Sequence, residues 1–165
     1  MKRVLIPVDG SAKSLEAVRA VTREGPGTIA SVDLVNVQPL FNRHIGRWVA
    51  REQREAWRAQ RSERALARAK GIVAMSGIEC RTHAAAGSVV PIVAGMARHL
   101  RAHEIVVGAS RRGLLGRFLA NSVSTQLLEV SPIPVRVVPA APAPLVEALA
   151  VPAGLGLIAL LILAD

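Results

Sequence analysis

The segment Ile105-Val106-Val107-Gly108-Ala109-Ser110-Arg111-Arg112-Gly113-Leu114-Leu115-Gly116 decides how the rest of the chain is read. A β-branched apolar run enters a glycine-bearing loop. Asn121-Ser122 then opens a helical pattern that ends before Pro132-Ile133-Pro134-Val135-Arg136-Val137-Val138. A buried strand, a loop with glycines and a Ser-led helix start is how α/β domains gather main-chain N–H groups and a helix dipole around an anion. The stretch predicts strand, ligand loop, helix and strand in succession, with an anion, first of all a nucleotide, as the ligand.

Working upstream, the same grammar repeats. Val4-Leu5-Ile6-Pro7-Val8 reads as a buried strand, Asp9-Gly10-Ser11 as a turn with a helix N-cap, and Gly25-Pro26-Gly27 as the end of that helix. A second strand fits 29–37, and a long helix fits the Arg-rich stretch from about Arg47 to Val73. A third strand fits 78–85, followed by a helix capped by Ser88 with Val89, Ile92, Met96 and Leu100 as its inward face. Strand four is 104–108, helix four 122–129 and strand five 133–138. Alternating strands and helices with continuous apolar runs predict one α/β domain, a doubly wound five-stranded parallel sheet covered on both faces. Ligands in such sheets sit beyond the carboxyl ends of strands, here the loops after strands one and four.

The 165 residues suffice for one domain with a real core. Four aromatics (Phe41, Trp48, Trp57, Phe118) and no Tyr leave little for base stacking, so nucleic acid is not the expected partner, and both Trp are expected to pack. The lone Cys80 closes no internal disulfide and reads as a packing residue; with strand-like sequence from Val4 onward, the expected compartment is the cytoplasm. Residues 43–70 hold nine basic and three acidic side chains, +6 of the net +9. Arg43, Arg47, Arg51, Arg54, Arg58, Arg61 and Arg68 fall within a wedge of roughly 100° on a helix of 3.6-residue period. That stripe is a solvated face with local Glu partners, or a surface for an anionic partner. His99 and His103, four apart, lack a third ligand, so no metal site is expected.

Residues 140–165 differ in kind from the rest. Ala140-Ala141-Pro142-Ala143-Pro144 reads as a stiff linker, and 148–164 is an uncharged run of 17 residues. At about 1.5 Å per residue it spans roughly 25 Å against roughly 30 Å of hydrocarbon, interrupted by Pro152, Gly154 and Gly156. A docked or dimer-forming segment is expected, with a C-terminal membrane anchor or a flexible end as the alternatives.

Enzyme signatures are mostly absent. Gly108 and Gly113 have the spacing of a phosphate-binding P-loop, but Leu114-Leu115 stand where Lys and Ser/Thr would grip phosphate and magnesium. The first strand-to-helix turn, Asp9-Gly10-Ser11-Ala12-Lys13-Ser14, lacks the dinucleotide fingerprint, and there is no nucleophile elbow or paired Cys.

At this point the chain resembles the universal stress protein family. The resemblance runs from Val4-Leu5-Ile6-Pro7-Val8-Asp9-Gly10-Ser11 through Leu34-Val35-Asn36-Val37 and Val106-Val107-Gly108 to Asn121-Ser122-Val123-Ser124 and Pro134-Val135-Arg136-Val137-Val138, covering residues 2–139. It implies an adenine-nucleotide alpha-hydrolase-like sheet in the order 3-2-1-4-5, a domain over 1–139 and a separate segment over 140–165. The family's ATP-binding pattern, G-x2-G-x9-G-[S/T], starts here on Gly108 and closes on Ser122, but its second and third glycines fall on Arg111 and Asn121.

By that resemblance Asp9 holds the ribose, while Pro7, Val37 and Val107 border the adenosine. Gly108, Ser122, Val123 and Ser124 face the phosphates, with Arg111 and Asn121 in the loop between. Arg111 either fills the pocket or pairs with a phosphate. The implied cofactor is ATP, with Mg; the implied role is a stress-response or signalling protein with no hydrolysis or very slow hydrolysis. The alternative is a nucleotide-free interaction protein using the Arg-rich helix or the apolar tail. A homodimer through Val135–Val138 is also implied, and an apolar edge strand needs a partner.

Overall fold

Strand β1, Lys2–Pro7, is a β-branched and aliphatic run whose Val4, Leu5 and Ile6 are buried from both sides, the pattern of a central parallel strand. Asp9-Gly10-Ser11 turns the chain into helix α1, Ala12–Thr22, and the Ser11 hydroxyl accepts from the Ser14 amide as the N-cap. The remaining elements are β2 (Ile29–Gln38), α2 (Arg51–Ala74), β3 (Glu79–Ala86), α3 (Val89–His99), β4 (Glu104–Ala109), α4 (Val123–Val130) and β5 (Val135–Pro139). The computed structural model describes residues 1–40, 50–109 and 122–140. Strand and helix positions agree with the sequence expectation to within a few residues. The 148–164 run, Arg43, Arg47, Trp48, Arg111 and Asn121 lie outside the described residues.

The five strands form one parallel sheet in the order β3-β2-β1-β4-β5, as expected. The chain winds outward from β1 to β3, then crosses back to β4 on the other side of β1, so the winding reverses between β1 and β4. Val4 lies beside Glu104 and Leu5 beside Ile105 across that boundary.

Each face carries its own core. On one, Val4, Ile6, Val32, Leu34 and Val106 pack against Leu15, Val18 and Val21 of α1 and Leu66, Ala69 and Val73 of α2. On the other, Leu5, Val35, Ile105 and Val107 pack against Val93 and Ala97 of α3 and Leu127 of α4. Burying each of the Val, Leu and Ile side chains contributes about 1.5–3 kcal/mol, and each Ala methyl less.

The inward face of α3 differs from the expected one. Val93, Ala94 and Ala97 are its buried residues, while Val89, Met96 and Leu100 are half-buried and Ile92 turns its side chain toward Gly87. Small residues at 94 and 97 let the helix backbone approach the sheet, which a count of large apolar side chains overlooks.

Helix α2 also departs from a uniform amphipathic helix. Its first buried residue is Ser62, whose hydroxyl donates to Asn36 Oδ1 (2.8 Å), and Asn36 lies two residues before the end of β2. None of the residues Arg51–Arg61 is fully buried, so the amino-terminal part of α2 is less covered than the part from Ser62 onward. Trp57, expected to pack, stands on this less covered part 42% exposed, with the Arg61 guanidinium 5.1 Å from its ring centroid.

Candidate functional site

At the winding reversal a cavity of about 170 Å³ opens beyond the carboxyl ends of β1 and β4. Its floor is Pro7, Val8 and Asp9 leaving β1, Val35 and Val37 of β2, and Val107 and Gly108 of β4. Its rim is the first turn of three helices: Lys13 and Ser14 of α1, Val89 of α3, and Val123 and Ser124 of α4. Every helix here runs back against the strands, so helix N-termini collect at the strand ends. Their partly positive amide ends converge with the Lys13 ammonium on one hollow, and neither α1 nor α4 has an acidic residue in its first turn.

Asp9 is the carboxylate of this hollow. Its Oδ1 accepts from the Ser11 amide (2.9 Å) and the Ser11 hydroxyl (2.5 Å), and its Oδ2 lies 3.8 Å from Lys13 Nζ. Partial burial pushes the carboxyl up, but the Ser11 hydroxyl and amide, the Ser14 hydroxyl and the Lys13 charge together outweigh it, holding the group below its ordinary value. It is an ionised acceptor at neutral pH with lone pairs still open on Oδ2, which suits a pair of vicinal hydroxyls.

The turn that carries Asp9 is fixed from below. Val8 donates its amide to the Val35 carbonyl (2.8 Å), and the Val8 carbonyl accepts from Asn36 Nδ2 (2.6 Å). Asn36 is buried, and its Oδ1 accepts from Gln38 Nε2 (2.6 Å) as well as Ser62 Oγ. Gly10 follows at φ +81°, and a side chain there would press on the Ala65 backbone of α2 at 3.4 Å.

Gly108 closes the opposite wall under a tighter constraint. A Cβ at this position would stand 1.9 Å from the Lys13 carbonyl oxygen, so glycine lets the first turn of α1 lie directly on β4. Ser122 caps α4 by accepting from the Thr125 amide (3.2 Å), and its hydroxyl lies 2.9 Å from both Ser124 Oγ and Thr125 Oγ1.

Of the residues singled out in the sequence, Pro7, Asp9, Val37, Val107, Gly108, Val123 and Ser124 line this cavity. Ser122 acts one step back, as the cap that sets the α4 end. Val8, Lys13, Ser14, Val35 and Val89 join the lining without having been anticipated. Lys13 and Ser14 follow the Ser11 N-cap at helix-start spacing, a signal that could have found them; Val89 comes in only through the crossover of α3.

Two other candidates take structural roles. His103 Nδ1 accepts from the Arg3 amide (3.0 Å), and among the described residues no three His, Cys, Asp or Glu side chains converge as a metal site. Burial pushes the Cys80 thiol up, against the Lys70 charge and with that of Asp33, which suits a packing role. No helix among the described residues is long and apolar enough to cross a membrane.

The solved structures it is similar to share this architecture at low identity. A universal stress family protein from Burkholderia pseudomallei is 22% identical over 84% of this chain and 96% of that chain, with a TM-score of 0.66. A universal stress protein in complex with cAMP is 21% identical over 85% and 98%, with a TM-score of 0.59. An Arabidopsis thaliana family protein with AMP bound is 14% identical over 86% and 93%, with a TM-score of 0.62. Among curated proteins none matches. The sequence profile described as the universal stress protein family matches residues 1–139, and the chain belongs to that family.

Proposed function

We propose that this protein binds an adenine nucleotide, ATP in the first instance, in the hollow between β1 and β4, and acts through the bound state rather than through rapid turnover. The observation that carries this reading is the convergence of three helix N-termini and Lys13 beside one ionised carboxylate, Asp9. Asp9 takes the ribose hydroxyls; Pro7, Val37 and Val107 supply the apolar walls for the base. The Gly108 main chain and the Ser122-Val123-Ser124 helix start receive phosphate, with Arg111 and Asn121 of the loop between them.

Similar structures carrying AMP and cAMP support an adenine nucleotide as the ligand class. Bound Mg would be held chiefly by the nucleotide's own phosphates, since no carboxylate cluster is offered among the described residues. That no base and nucleophile are paired at the hollow among the described residues supports hydrolysis that is slow or absent, and with it a role in stress response or signalling by nucleotide-dependent partner choice. The half-buried edge strand Val135–Val138, aliphatic but for Arg136, supports a homodimer through β5, and the cytoplasm is the compartment proposed with it.

Calorimetric titration with ATP tests the site. Wild type is expected to bind saturably, and Asp9→Ala to lose about tenfold or more in affinity, the scale of a charge-assisted contact. No saturable binding by the wild type overturns the reading. Arg111→Gly in the same titration separates the two roles of that side chain: tighter binding if it fills the pocket, weaker if it grips phosphate.

A further inference from the structure

Helix α2 divides its charges between two flanks. On the 3.6-residue period Arg54, Arg58, Arg61, Arg64 and Arg68 share an arc of roughly 120°, and Trp57 lies inside it. Glu52, Glu55 and Glu63 occupy an arc of roughly 80° across the stripe of buried residues that runs from Ser62 to Val73. Glu63 and Lys70 border the groove beside β3, so the arginine flank is turned away from it. Arg61, Arg64 and Arg68 are exposed, and Arg54 and Arg58 are half-buried. Among the described residues the only basic side chain of α2 in an ion pair is Arg51, with Glu55 (2.8 Å), so none of the five has a carboxylate within ion-pair distance. Arg54 Nε is buried without a hydrogen-bond partner.

The chain carries one more feature that lipid would satisfy, the uncharged run of 17 residues over 148–164. Its starting point lies at the end of the sheet where α2 begins. Strand β5 passes there into Ala140, whose amide donates to the Ala109 carbonyl (2.8 Å). From Ala140 the seven residues 141–147 reach at most about 23 Å, while β5 and β2, over which α2 packs, stand three strand spacings apart, about 14 Å. The run and the arginine flank are therefore within reach of one surface.

We propose that the arginine flank of α2 rests on an anionic lipid surface, with the uncharged run 148–164 as a second, apolar attachment to that surface. The guanidinium groups meet headgroup phosphates and carboxylates, Trp57 sits at the boundary between headgroup and acyl chain, and the apolar run adds the burial that charge alone does not supply. Arg54 to Arg68 extend about 21 Å along the helix, the scale of a surface and not of one small anion. A polynucleotide meets the same charge but finds a single aromatic side chain to stack on, and, like an acidic protein segment, it gives the uncharged run nothing to enter.

The test is sedimentation of the full chain with vesicles of phosphatidylcholine, alone or with about one-third phosphatidylserine. Binding is expected to the serine-containing vesicles, and to weaken as salt rises from about 0.05 to 0.5 M. Arg64→Gln/Arg68→Gln is expected to lower partitioning about 25-fold, at about fivefold for each basic side chain near the surface. Leu160→Asp/Leu161→Asp is expected to lower it about tenfold while leaving the salt dependence in place. In a Trp48→Phe background the Trp57 emission should move to shorter wavelength on the serine-containing vesicles. Unchanged thermal melts verify the fold of each variant. No sedimentation, equal sedimentation with both vesicles, indifference to either pair of substitutions or an unshifted Trp57 emission overturns the proposal. So does tighter binding to polyuridylate than to the serine-containing vesicles at equal concentrations of negative charge.

Discussion

The two ends of the sheet are fastened in opposite ways. At the amino end the ties are long in sequence: Arg136 of β5 bridges Glu24 beyond α1 (2.5 Å) and Glu104 of β4 (3.0 Å), and Lys2 of β1 stands 4.0 Å from the same Glu104. Arg3 and His103 exchange two further bonds there, the Arg3 amide to Nδ1 and the His103 amide to the Arg3 carbonyl (2.8 Å). At the carboxyl end the exposed ties are local. Asp9 binds Ser11 and Lys13, and Ser122 binds Ser124 and Thr125. The amino end holds strands together; the carboxyl end presents groups whose present partners a ligand can replace, above a buried Asn36 clamp that keeps them in place.

The largest break in that contrast comes at Gly108. A methyl group 1.9 Å from the Lys13 carbonyl must push α1 off β4, and Gly108→Ala is expected to cost about 3 kcal/mol or more in denaturant unfolding. Gly95→Ala is its control, a helical glycine of α3 with open space around it, expected to be neutral or to stabilise by up to about 1 kcal/mol. Equal effects at the two positions would remove the steric reading of Gly108.

Arg136 tests the opposite end. Arg136→Met leaves Glu104, 14% exposed, and Glu24, 26% exposed, without their shared cation, and a loss of about 2 kcal/mol is expected, less than for a fully buried pair. A double-mutant cycle with Glu24→Gln checks it: a coupling near zero would show that the bridge contributes nothing to stability. ATP affinity should be indifferent to this substitution, because the bridge lies at the far end of β1 and β4 from the cavity.

How far the sequence disclosed this division follows from the physics of each element. The strands were legible because parallel strands covered on both faces are unbroken β-branched runs, as Val4-Leu5-Ile6 and Ile105-Val106-Val107 are. The turn at Asp9 and the cap at Ser122 were legible because their chemistry is local. The Asn36–Val8 clamp, the Arg136 bridge and the arrival of Val89 were not, since each joins residues brought together only by a crossover. The change in burial along α2 was hidden for another reason: its first buried residue is Ser62, anchored through its hydroxyl and invisible to any apolar periodicity. Charge counting found the Arg stripe but not where along the helix burial begins.

A smaller effect sharpens the carboxyl end. The Ser122 hydroxyl occupies one orphan amide of α4, so Ser122→Ala is expected to lower stability by about 1 kcal/mol and Ser122→Asp to restore most of it. The same Asp adds a negative charge where phosphate is expected to sit, so it should weaken ATP binding while repairing the fold. Stability and affinity moving together in Ser122→Asp would show that the α4 end is scaffold and not site.

The smallest expected effect is the acid dependence of Asp9, and its sign follows from the direction of its shift. The carboxyl is held below its ordinary value in the folded chain, chiefly because the Ser11 hydroxyl and amide overcome the opposing effect of burial. The folded state therefore binds this proton less readily than the unfolded state. Its contribution is fully present above the unfolded value, about 3.9, and is lost as pH falls through the lowered folded value. Asp9→Asn should leave neutral-pH stability nearly unchanged, because the group is exposed and its partners are local, but should flatten the acid limb of stability against pH. Glu16, held down first by Arg23 and then by Arg19 despite its burial, adds a second limb of the same sign, so the comparison is best run in a Glu16→Gln background. An acid limb of unchanged slope in the double variant would mean that Asp9 gains no more from its clasp in the folded state than from water, and that its carboxylate stands free for a ligand to claim.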